Sequence, residues 1–66
     1  MKPMSTAAAR RARWIGRRLK EARRAGDRDK ELHYRKSAKA MIAEYGPNAR
    51  REIGVGQREQ LRRTRG

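Results

Sequence analysis

Leucine, isoleucine and valine occupy only seven positions, Ile15, Leu19, Leu32, Ile42, Ile53, Val55 and Leu61, in a chain of 66 residues that carries 20 Lys and Arg against seven Asp and Glu. That share lies well under the roughly 20% below which a highly charged chain lacks the apolar surface to offset the entropy of ordering. At this length a hydrophobic core alone also stabilises a fold poorly. A rigid, self-sufficient globule is therefore not expected. The ten alanines and fifteen arginines push the other way, because both are strong helix formers.

The apolar residues recur with helical spacing. Ala8, Ala12, Ile15, Leu19 and Ala22 are separated by 4, 3, 4 and 3 positions, which is one narrow stripe along a helix. Tyr34, Ala38, Met41 and Tyr45 form a bulkier stripe, with Ile42 beside it and Leu32 on its flank. Ser5 or Thr6 caps the first helix, only Gly16 interrupts it, and Gly26 stops it. Asp27 is a natural N-cap for the second helix, Asp29 and Glu31 put negative charge in its first turn, and Gly46-Pro47 ends it.

These signals predict an all-α fold. Helices at 6–25 and 28–45 form an antiparallel hairpin with the two stripes facing each other, followed by a short third helix or a flexible basic C-terminal tail. Residues 1–5 read as a flexible N-terminus, 6–46 as the hairpin, and 47–66 as a short helix and basic tail. Gly54 and Gly56 are expected to interrupt that helix. Ile53, Gly54 and Val55, with Gln57 onward as a recognition helix, have a loose likeness to a helix-turn-helix whose usual alanine is out of register. Gly16 costs its helix about 1 kcal/mol relative to alanine. It is either merely tolerated, the simpler reading, or lets another group approach the backbone.

Charge is uneven along the chain. Residues 1–26 hold nine Lys and Arg against one acid, 27–46 five against four, and 47–66 six against two. The second helix thus reads as the structural partner, and the first helix and tail as the charged surface. Arg10, Arg13, Arg17, Lys20 and Arg24 form a ridge roughly opposite the alanine stripe. Trp14, the only tryptophan, lies off that stripe with Arg10, Arg11, Arg17 and Arg18 one turn away on either side. It can stack on an unpaired base, lie over its own arginines in cation–π contact, cap the edge of the hairpin, or anchor a protein interface.

Several chemistries lack their residues. There is no cysteine, which excludes disulfides and thiolate metal sites. His33, the only histidine, has Lys36 and Ser37 where a helical metal site needs a second ligand. Ser37 has no oriented acid, and no carboxylate pair sits in an apolar setting, so neither an enzyme nor a cofactor is expected. IGVGQRE lacks the Lys-Ser/Thr ending of a phosphate-binding loop. No apolar run approaches the roughly 20 residues of a membrane span. The cytoplasm is the simplest location, although the first 20 residues, acid-free and rich in Ala and Arg, also have the look of a transit peptide.

The expectation is a small, basic, non-enzymatic nucleic-acid-binding protein. Arg10, Arg11, Arg13, Arg17, Arg18, Lys20 and Arg24 hold phosphates beside Trp14, and Arg58, Arg62 and Arg63 add a second grip. Arginine serves DNA and RNA alike, so the two are not separated. The alternative is a protein-binding module, or a small subunit of a larger assembly, that docks on an acidic partner. A membrane surface ranks last, because the face opposite the ridge is mostly alanine. Oligomeric state is not readable from the sequence.

Overall fold

Three helices, α1 (Thr6–Ala25), α2 (Arg28–Tyr45) and α3 (Pro47–Arg65), make up the computed structural model, which describes residues 2–65 and their side chains as far as residue 60. Among the described residues there is no strand, and no helix is long and apolar enough to cross a membrane.

Two short connections set the chain's course. Gly26 is left-handed at φ 70°, its N–H bonds the Arg23 carbonyl, and the Asp27 N–H bonds that of Ala22. This is the Schellman arrangement, which satisfies the last carbonyls of α1 and needs a residue without a Cβ at its αL position. Asp27 then begins α2, its side chain accepting from the Lys30 N–H at 3.2 Å. At the second junction Gly46, at φ 74°, donates to the Ile42 carbonyl, while its own carbonyl accepts from Ala49. Pro47, lacking an N–H, takes the first position of α3, where no helical donor is needed. At the other end of α1 Ser5 is the cap, accepting from the Ala8 N–H.

Cross-helix pairs give the directions. Lys2 meets Glu44 and Arg23 meets Glu31, so α2 runs back along α1. Arg13 meets Glu52 and Arg17 meets Glu59, so α3 runs the same way as α1. The expected hairpin is present, closed by a third full helix.

All five residues of the α1 stripe are buried, and Ile15 is the largest side chain fully withdrawn from solvent. Facing them are Ala38 and Met41 from α2 and Ala49 and Ile53 from α3. The bulky stripe of α2 is engaged only in part, since Tyr34 and Tyr45 are half-buried and Leu32 is 55% exposed. The Cα radius of gyration, 11.6 Å, is close to the roughly 11 Å of a compact chain of this length.

A core this poor in large side chains closes because α1 and α3 meet backbone to backbone. A Cβ added at Gly16 would overlap the Ile53 carbonyl and lie 3.1 Å from the Gln57 nitrogen. One added at Gly56 would overlap the Arg13 carbonyl. Both glycines are buried, so close approach replaces side-chain volume as the source of dispersion contact.

Four expectations are corrected here. Gly16 is required by the crossing, not merely tolerated. Gly54 and Gly56 do not interrupt α3, and no turn at Gly54-Val55 separates two helices as a helix-turn-helix would require. Pro47–Arg65 is one helix, packed on α1 through its described side chains, where a short helix or flexible tail was expected, because Gly56 serves contact rather than flexibility. Ahead of α1, Met4 packs against the core, and Lys2 bonds Glu44 through both backbone and side chain.

Candidate nucleic-acid interface

The ridge of α1 lies opposite the buried stripe, as its spacing predicts, but α3 covers one flank of it. The Arg13 Nε donates to Glu52 Oε2 at 2.5 Å, and Arg17 Nη1 lies 3.5 Å from Glu59 Oε2. The hydrogen bond to Glu52, and then its charge, raise the Arg13 pKa above the ordinary guanidinium value. Arg10 and Arg11 are exposed without an acidic partner among the described residues, Lys20 is half-buried, and Arg24 is exposed. Arg58 is exposed and donates back to the Gly54 carbonyl of its own helix. Arg62 and Arg63 fall in the last turns of α3, where the side chains lie outside the described ones.

Trp14 is 41% exposed despite the scarcity of apolar surface. Its ring meets Tyr34 of α2 edge-on, with centroids 5.7 Å apart and planes at 86°. The Arg18 guanidinium carbon lies 5.7 Å from the indole centroid, and Arg18 also pairs with Glu21 at 3.6 Å. The indole is thus fixed on two sides, and it walls a recess of about 390 Å³ together with Arg17, Arg18, Glu21 and Gln60. His33 meets Tyr34 edge-on, with ring centroids 5.2 Å apart.

Sequence reasoning missed two parts of this surface. Tyr34 belongs to the aromatic support of Trp14 rather than to the core. The cations of α2 were read as balanced by its acids, yet of these only Asp27 pairs within the segment, with Lys30, while Glu31 goes to Arg23 and Glu44 to Lys2. Arg28, Arg35, Lys36 and Lys39 are left exposed with no carboxylate within ion-pair distance among the described residues. The signal that could have found three of them is the 4, 3, 4 spacing of Arg28, Leu32, Arg35 and Lys39, a second stripe on α2.

No known protein family matches the chain, and comparisons with curated proteins and with solved structures found no match.

Proposed function

We propose that this is a small, non-enzymatic, cytoplasmic nucleic-acid-binding protein that grips phosphates with the open side of α1 and stacks Trp14 on an unpaired base. The observation that carries this reading is the half-exposed indole, braced by Tyr34 and Arg18 within one turn of Arg10 and Arg11, which have no acidic partner among the described residues. An isolated exposed tryptophan has no need of bracing. A stacking platform does, because a ring already fixed loses little entropy when a base lies on it. Stacking contributes about 1–3 kcal/mol per base and is indifferent to base identity. With Arg13 and Arg17 engaged by α3, roughly four cations face phosphates. That corresponds to a log–log salt slope near −3 on single strands.

Titration of Trp14 fluorescence with single strands, structured RNA and duplex DNA at two salt concentrations tests the proposal. Salt-sensitive binding with strong quenching by strands that offer unpaired bases is expected. Binding that barely changes with salt, or none at all, would overturn it, and salt-sensitive binding without quenching would remove Trp14 from the contact.

A further inference from the structure

Gly54 has none of the reasons that account for the other described glycines. Gly26 and Gly46 have positive φ, and Gly16 and Gly56 touch a neighbouring backbone. A Cβ on Gly54 would meet only the Arg58 guanidinium, at 3.8 Å. A mid-helix glycine lowers helix stability, so the space it leaves calls for an occupant.

That space is part of a groove of about 440 Å³ lined by α2 and α3 with Leu19 and Arg23 of α1, and it shares no lining residue with the recess at Trp14. Its apolar lining is the edge of the core, the buried Leu19, Ala38 and Ile53, together with the half-buried Ile42. Its rim is Arg23, Arg35, Lys39 and Arg50, and no carboxylate lines it. Arg23 is shared with Glu31, but Arg35, Lys39 and Arg50 are exposed and without an ion-pair partner among the described residues. Along α2 the lining runs from Arg35 to Ile42, two helical turns, or about 10 Å.

We infer that this groove seats an acidic amphipathic helix of a partner protein, with two apolar residues one turn apart on the apolar lining and flanking carboxylates on Arg35, Lys39 and Arg50. The apolar lining is what a phosphate backbone does not use and an amphipathic helix does. The charge of the rim selects an acidic sequence, and it disfavours a second copy of this chain, whose net charge is +13.

The test maps backbone amide shifts of the full chain against three probes: a short synthetic helix with two leucines one turn apart among glutamates, a scrambled peptide of the same composition, and a single-stranded oligonucleotide. The patterned peptide is expected to move the amides of Ile42, Gly54 and Gln57, and the scrambled one to bind at least about tenfold more weakly. Gly54→Leu, which fills the groove without changing its charge, is expected to weaken the patterned peptide at least about tenfold while the helical content holds. Should Gly54→Leu fold poorly, the double variant Arg35→Glu, Lys39→Glu is expected to show a loss of similar size through the rim alone. Equal binding of both peptides, binding unaffected by these variants, or an oligonucleotide that moves the groove amides as strongly as the patterned peptide would each overturn the assignment.

Discussion

Gly16 of α1 lies directly against the Ile53 carbonyl of α3, with no room between them for a methyl group. Gly56 repeats the contact one turn further along α3, against the Arg13 carbonyl. The two helices are therefore locked at a separation that only glycine permits.

Alanine at Gly16 or Gly56 gains about 1 kcal/mol of helix propensity but forces the two backbones apart, an overpacking cost of about 1–3 kcal/mol or more. Alanine at Gly54 gains the propensity without the clash. Denaturation followed by circular dichroism should show the first two variants less stable and the third more stable, by about 4–8 °C per kcal/mol in a chain this small. Stabilisation by all three would contradict the crossing described here.

Ile15→Ala deletes the largest fully buried side chain, at a cost of about 2–5 kcal/mol. Small domains have about 3–5 kcal/mol in all. This variant should lose its cooperative thermal transition, and retention of a sharp transition near the parent temperature would show that the core lies elsewhere.

At the α1–α2 junction, Asp27→Ala removes the cap that holds the Lys30 N–H and should cost about 0.5–2 kcal/mol. Asp27→Asn keeps an accepting oxygen and should be nearly neutral, so urea midpoints of the two variants separate the hydrogen bond from the charge. Gly26→Ala places a Cβ at φ 70° and should be destabilising by about 1 kcal/mol.

Glu52→Gln with Glu59→Gln frees Arg13 and Arg17 from α3. The four side chains keep between 20% and 44% of their surface exposed, so each pair should cost about 1 kcal/mol of stability. Affinity for single strands should rise, and the salt slope should steepen by roughly 0.7 for each released cation that reaches a phosphate. Stronger binding without a steeper slope would mean that the gain is general charge rather than these two arginines.

Much of the fold was legible because it rests on local physics. The five-residue stripe of α1 follows from helical periodicity, and Ser5, Gly26, Asp27 and Gly46-Pro47 act through hydrogen bonds and φ angles within a few residues of themselves. The position of Trp14 off the core follows from the same periodicity. Glycine was misread in α3 because its local effect, a weaker helix, has one sign whether or not another backbone lies against it. The exposed cations of α2 were hidden for a similar reason, since charge summed along a segment does not show that Glu31 and Glu44 are engaged by Arg23 and Lys2, outside it.

The sequence by itself determined three things: the helices of the hairpin with their caps, the buried face of α1, and the excess of positive charge. The tertiary structure alone decided that α3 is a full partner of α1 and which arginines stay open to solvent. The physical reason is range: capping and periodicity act within one or two turns of one helix, whereas a backbone contact at Gly16 and an ion pair from Arg13 to Glu52 depend on groups some 40 positions apart.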